Sequence, residues 1–167
     1  MITPSRWPGT VSELVPGAVQ VWSTQPGSVE QVLAAYESRR GVRSNVSRSG
    51  ELALVAVASE RIVGVDVEAM RPGRRLQAIA DSRFTPGEAA ALRALDETEQ
   101  DMAFYRLWVR KEAYLKAAGE GIAGGLDSFD ALTGKLPAGW ELIDLDVGEG
   151  YAGAVVTGPA GAARRSR

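Results

Sequence analysis

A charged side chain in the middle of an apolar helical stripe is the strongest constraint this sequence places on its own fold. The stretch Trp108-Val-Arg-Lys111-Glu112-Ala-Tyr-Leu-Lys116 reads as part of a long helix over Glu97–Gly119. At ~100° per residue, Phe104, Trp108, Lys111, Glu112 and Leu115 share one face, with Tyr105 and Lys116 at its edge. The aromatic and leucine side chains mark that face as inward. A carboxylate there must be paired, hydrogen-bonded or metal-bound, because an isolated buried charge is too costly. Two readings stay open for Glu112: an exposed i,i+4 pair with Lys116, worth ~0.3–0.5 kcal/mol, or a functional carboxylate.

A second acidic feature lies upstream. In Arg61-Ile-Val-Gly64-Val-Asp66-Val-Glu68 the valines alternate as in a strand, placing Val63, Val65 and Val67 on one face and Gly64, Asp66 and Glu68 on the other. The two carboxylates then project to the same side, ~6.6–7 Å apart. Their repulsion calls for solvent or a cation, and strand and helix oxygens together suit a hard divalent ion such as Mg²⁺. The same spacing recurs at 97/99, 99/101 and 144/146. For Asp66/Glu68 and for Asp144/Asp146 alike, the polar outer face of a half-exposed strand is the competing reading. Gly64 favours function at the first pair, since a strand glycine admits close approach of a backbone or ligand.

Read together, these residues resemble the 4'-phosphopantetheinyl transferase superfamily, and within it the surfactin-synthetase-activating (Sfp) type. That family pairs a Gly-x-Asp-x-Glu strand with a Trp-x-x-Lys-Glu-x-x-x-Lys helix, here about forty residues apart. Between them, Arg83-Phe84-Thr85-Pro86-Gly87-Glu88 is similar to the family's Arg-Phe-hydroxyl-x-x-Glu segment, and is also a helix start with Thr85 as N-cap and Glu88 closing a capping box. Upstream, Asn45-Val-Ser47-Arg48-Ser49-Gly50 and the apolar strand Leu52–Ala58 resemble the family's Ser-His-Ser turn and strand. Downstream, Trp140-Glu-Leu and Gly150-Tyr-Ala-Gly-Ala-Val155 resemble its closing strands.

The resemblance implies transfer of the phosphopantetheine arm of coenzyme A to a serine of an acyl or peptidyl carrier protein. It implies that Asp66, Glu68 and Glu112 hold Mg²⁺ and that Glu112 also serves as base. It places Lys111 and Lys116 on coenzyme A phosphates, with Lys116 stabilising the leaving group, and Ser47 and Arg48 on phosphates; Trp108 is expected to pack. The implied fold is α+β, with antiparallel sheets packed on one long helix.

The sequence departs from the family in two places. Arg48 stands where the family has histidine, and the chain has no His at all. Arg is a strong phosphate ligand but cannot shuttle a proton as imidazole does. About sixty residues precede Gly64, so the first of the family's two similar halves is expected to be eroded. An opening strand at Val19-Gln-Val-Trp22 and a short helix at Ser28–Ser38 are what remain of it. A second copy would then supply the missing wall, as a homo-oligomer. The rival reading is a degenerate or repurposed member that binds coenzyme A or a carrier protein, or acts on a carrier-bound intermediate, without transferring the arm.

Composition bounds the rest. The 167 residues suit one domain with a sizeable core, expected over 18–157, after an extended segment 1–17 and before a disordered tail 158–167. The absence of Cys excludes a disulfide framework and fits a reducing compartment, and no apolar run reaches the length of a membrane span, so the expected location is the cytoplasm. Nineteen basic against twenty-one acidic residues disfavour a nucleic-acid partner. Basic clusters at Arg39–Arg43 and Arg71–Arg75 offer charge that steers an acidic carrier protein, and the three arginines of the first either help bind coenzyme A or solvate a loop.

Overall fold

The computed structural model describes residues 1–7, 14–37, 39–71, 76–119 and 125–161. The elements in chain order are β1 (Ser5–Arg6), β2 (Val19–Thr24), α1 (Val29–Ala34), β3 (Val42–Ser49), β4 (Leu52–Ser59), β5 (Arg61–Ala69), α2 (Leu76–Arg83), α3 (Pro86–Arg93), α4 (Glu97–Ala118), β6 (Glu141–Leu145) and β7 (Tyr151–Pro159). They form the expected α+β fold. One sheet has the order β1-β2-β4-β3 and the other β5-β7-β6. All pairings are antiparallel except β1 with β2.

Three apolar clusters stack these elements in the layer order α1, first sheet, second sheet, α4. Trp22, Val55 and Val57 of the first sheet meet Val29, Val32 and Tyr36 around α1. Between the sheets, Val21, Leu54, Ala56 and Ala58 pack on Val63, Val65, Val67, Leu145 and Val155. Beyond the second sheet, Ala152, Ala154 and Val156 pack with Phe104, Leu107, Val109, Ala113 and Leu115 of α4, flanked by α2 and α3. This layering explains why Ala53–Ala58 reads as a continuous apolar run: β4 is covered on both faces and each of these residues is fully buried.

Local chemistry sets the ends of α3 and α4. Thr85 accepts from the Glu88 amide while the Glu88 carboxylate takes the Thr85 amide, so the capping box forms. Gly119 closes α4 with φ 72°, a left-handed conformation that favours glycine. At its other end the chain ties the two sheets together. Ile2 exchanges backbone hydrogen bonds with Asp144 and Asp146 beside β6, and the Trp7 amide donates to Ser23 on β2. The expected extended segment 1–17 thus includes a clip between the sheets. Strand β7 runs to Pro159, and residues 162–167 of the expected tail lie outside the described residues, as do residues 72–75 of the second basic cluster. No described helix is long and apolar enough to cross a membrane.

Candidate active site

Helix α4 crosses β5 at Gly64 with no space for a side chain. A Cβ there would overlap the Ala113 carbonyl oxygen and lie 2.5 Å from the Ala117 amide nitrogen. The close approach expected of this glycine is therefore made by a helix backbone. It brings the last turns of α4 against the strand face that carries Asp66 and Glu68.

Lys116 reaches across this contact. Its Nζ donates to Asp66 Oδ1 at 2.7 Å and to the Val65 carbonyl at 3.1 Å. The i,i+4 pair with Glu112 is not what Lys116 forms; its ion pair is with Asp66. From the other side the Ser47 hydroxyl donates to the same Asp66 Oδ1 at 2.7 Å, and the Ser49 hydroxyl donates to Glu68 Oε2 at 2.8 Å. Asp66 is 4% exposed, and its Oδ2 is buried with no hydrogen-bond partner among the described residues. An unpartnered buried carboxylate oxygen is costly and calls for an explanation.

The carboxylates feel one another. Burial pushes Asp66 above its ordinary range, partly offset by Lys116, Ser47 and the Val67 amide. Glu68 is raised by burial and by the Asp66 charge, against the Ser49 hydrogen bond. Glu112, half-buried on α4, is raised by burial and by the Asp66 and Glu68 charges, with Lys116 opposing. Perturbation of this kind, produced by burial plus named charged neighbours, is frequent at functional sites. Beside Glu68 opens a pocket of ≈220 Å³ walled by Arg71, Leu76, Ile79, Tyr105 and Trp108. A larger groove, ≈450 Å³, lies between the N-terminal clip and strands β2, β6 and β7, and none of the three carboxylates lines it.

Among the described residues no three acidic side chains form a ready metal cage. That is compatible with Mg²⁺, which usually binds through one or two carboxylates and keeps waters or substrate phosphates as its other ligands. The orphaned Asp66 Oδ2 and the neighbouring Glu68 and Glu112 are hard oxygen donors that fit such an ion.

Three expected ligands sit differently. Lys111, expected on coenzyme A phosphates, is wholly buried and ion-paired with Glu88 at 2.8 Å, with a further bond of 2.7 Å to the Phe129 carbonyl. The physical reason is that α4 is buried on more than one face, so Lys111 points into the α3 side of the core. Ser47, expected on a phosphate, is 7% exposed and its one hydroxyl proton is given to Asp66. Arg48 is adjacent to Ser47 on β3 and so points to the opposite face, where it makes an exposed pair with Glu30 of α1 at 3.1 Å. Trp108 packs as expected, stacked on Phe104 at 5.8 Å between centroids. Asp144 is not on a solvated face: Arg106 and Arg110 both donate to it, and its side chain is 12% exposed.

Sequence reasoning assigned no role to Asn45 or Ser49. Their signal is present as the alternation Asn45-x-Ser47-x-Ser49, three small polar residues on one face of a strand beside an apolar neighbour.

The model of the 4'-phosphopantetheinyl transferase superfamily matches residues 62–152, which include both the strand and the helix of this site. The chain belongs to that superfamily. It is 38% identical over 138 residues to 4'-phosphopantetheinyl transferase HetI of Nostoc sp., a match covering 72% of this chain and 57% of that protein. A 4'-phosphopantetheinyl transferase of Bacillus subtilis is 42% identical over 85 residues, covering 51% of this chain and 37% of the relative. AcpT of Salmonella typhimurium is 34% identical over 90 residues, covering 54% and 47%. The chain thus spans about half the length, or less, of the curated relatives it matches.

Proposed function

We propose that this protein transfers the 4'-phosphopantetheine arm of coenzyme A to a serine of an acyl or peptidyl carrier protein, as an Sfp-type member of its superfamily. The observation that carries the reading is the Asp66 carboxylate, buried beside Lys116 with one oxygen unpartnered and with Glu68 and Glu112 in electrostatic contact. Mg²⁺ held through one or two of the Asp66, Glu68 and Glu112 carboxylates would neutralise the pyrophosphate of coenzyme A when bound. In the transfer, the carrier serine oxygen bonds to the phosphorus that bears pantetheine, and the bond from that phosphorus to the 3',5'-ADP oxygen breaks. Glu112 takes the serine proton, directly or through a water. Lys116, a quarter exposed at the edge of the cluster, offers positive charge to the 5'-phosphate of the departing 3',5'-ADP. Lys111 has no part in this, being sealed in the core.

The carrier protein and coenzyme A are therefore the proposed partners, and a second copy of the chain is proposed beside them, as a homo-oligomer. Light scattering in the presence of coenzyme A tests the latter, and a monomer that binds it tightly would rule it out. The second reading, binding without transfer, is favoured by Arg48 in place of histidine. Mass spectrometry of apo-carrier proteins incubated with coenzyme A, Mg²⁺ and this protein decides. The transferase adds the phosphopantetheine mass and Glu112→Gln abolishes the gain. No gain on any carrier, with coenzyme A still bound, would establish the binding protein instead.

A further inference from the structure

Strands β3 and β5 are edges of different sheets, with no strand ladder between them. Their junction is made by β3 side chains on β5 backbone. Asn45 Oδ1 accepts from the Val65 amide at 2.9 Å, Ser47 Oγ from the Val67 amide at 3.2 Å, and Ser49 Oγ from the Ala69 amide at 3.0 Å. Three successive alternate residues thus satisfy three successive alternate amides that an edge strand would leave open.

The residue types along this row follow what stands opposite. A hydroxyl accepts from an amide and still has a proton to give, whereas the oxygen of a carboxamide only accepts. Where β5 carries a carboxylate beside the amide, β3 supplies serine: Ser47 donates to Asp66 and Ser49 to Glu68. Where β5 carries Gly64, β3 supplies Asn45, whose carboxamide oxygen makes the stitch to the Val65 amide with no carboxylate beside it.

We infer that Ser47 and Ser49 are positioning residues that fix the Asp66 and Glu68 carboxylates for a divalent cation, so that docking the first sheet on the second assembles the cation site. Ser47 then acts through Asp66 and does not hold a phosphate. The inference rests on the cation-site reading above and extends it, because it gives the first sheet a task in the chemistry independent of coenzyme A. Partners that orient metal-binding carboxylates are commonly worth about ten- to a hundred-fold in affinity.

Asn45 makes the test decisive, since it forms the same stitch without a carboxylate. Mn²⁺, which suits the same oxygen donors, is titrated into the protein and followed by its electron paramagnetic resonance signal, with urea unfolding measured in parallel. Ser47→Ala and Ser49→Ala are expected to weaken Mn²⁺ by about tenfold or more. Asn45→Ala is expected to lose stability but keep the wild-type Mn²⁺ affinity, and Ser49→Thr to restore it by returning the hydroxyl. Should Ser47→Ala fail to fold, Ser49→Ala carries the test, because Ser49 and Glu68 repeat the arrangement in a less buried setting. Equal weakening by all three alanine variants, or by none, overturns the inference while leaving the cation site standing. A wild-type protein that binds no Mn²⁺ overturns the cation-site reading and this inference with it.

Discussion

Lys111 and Glu88 form an ion pair, 2.8 Å long, from which water is wholly excluded. Their remaining groups are also used. Lys111 donates to the Phe129 carbonyl, while Glu88 accepts from the Ala131 amide and from both the amide and hydroxyl of Thr85. The pair therefore ties the start of α3, the middle of α4 and the segment before β6 into one unit. Removing one partner strands the other charge in the core. We expect Lys111→Ala to lower unfolding stability by roughly 3–5 kcal/mol, read by urea denaturation. A loss below about 1 kcal/mol, in the range of an exposed pair, would contradict this burial.

Gly64→Ala tests the crossing of α4 over β5. The added carbon meets two backbone atoms of the helix and the Lys116 Cβ at 3.0 Å, and none of these can swing aside as a side-chain tip would. Forced overpacking costs about 1–3 kcal/mol or more. The helix must shift, taking Lys116 from Asp66. The variant is expected to lose stability and transfer together, and full retention of both would mean the helix does not lie on this glycine.

The elements were legible because local signals agreed with one another. Thr85-Pro-Gly-Glu88 specifies a helix start by its own hydrogen bonds, and the alternating valines of β5 specify which face is apolar. The carboxylate cluster was legible from Gly64, Asp66, Glu68 and Glu112 because strand and helix periodicity fix which side chains can meet. Lys111 was misplaced for a physical reason. Periodicity orders residues around α4 but does not say how many faces are covered, and Glu88, the partner that keeps Lys111 inside, lies on another helix. Asp144 is the same case: its spacing to Asp146 resembles a solvated strand edge, and only the packing of α4 brings Arg106 and Arg110 to it. The Ser47 and Ser49 bonds join edges of two sheets, a pairing that no local pattern encodes.

Asp144 gives the protein an acid-sensitive contact. Burial pushes its pKa up, but hydrogen bonds and charge from Arg110 and Arg106 outweigh that and hold it below the ordinary carboxylate range. A carboxylate depressed on folding contributes stability that is fully present above its unfolded pKa, about 3.9, and is lost as pH falls through the lower folded value. In urea titrations, Asp144→Asn should be less stable than wild type by roughly 1.5–3 kcal/mol near neutrality. The gap should narrow only below about pH 4. A gap that stays constant into strong acid would show that Asp144 does not titrate as this contact requires.

Lys116 should separate metal binding from transfer. Its ammonium lies 2.7 Å from Asp66 Oδ1, so it both balances the carboxylates and repels a cation placed among them. Its side chain is partly exposed and the effect is screened. Lys116→Ala is therefore expected to tighten Mn²⁺ by roughly fivefold, about 1 kcal/mol, while transfer to the carrier falls. Weaker Mn²⁺ binding would instead mean that Lys116 is needed to hold Asp66 in place.

Arg48 separates phosphate binding from structure. Its pair with Glu30 leaves the two side chains 45% and 74% exposed, so Arg48→Ala should cost less than about 1 kcal/mol of stability. If Arg48 replaces the family's histidine on the 3'-phosphate of coenzyme A, the lost charge-assisted bond is worth ~1.5–3 kcal/mol, about ten- to a hundred-fold in affinity. Dephospho-coenzyme A lacks that phosphate and should bind wild type and variant alike. Titrating both ligands into both proteins closes a double-mutant cycle, in which a coupling energy near zero leaves Arg48 as a surface partner of Glu30 alone. Arg48→His then reports on the residue's history. Improved transfer would mean an imidazole at this position still serves the reaction, whereas lost coenzyme A affinity would mean the guanidinium, which is always charged, is the better phosphate ligand here.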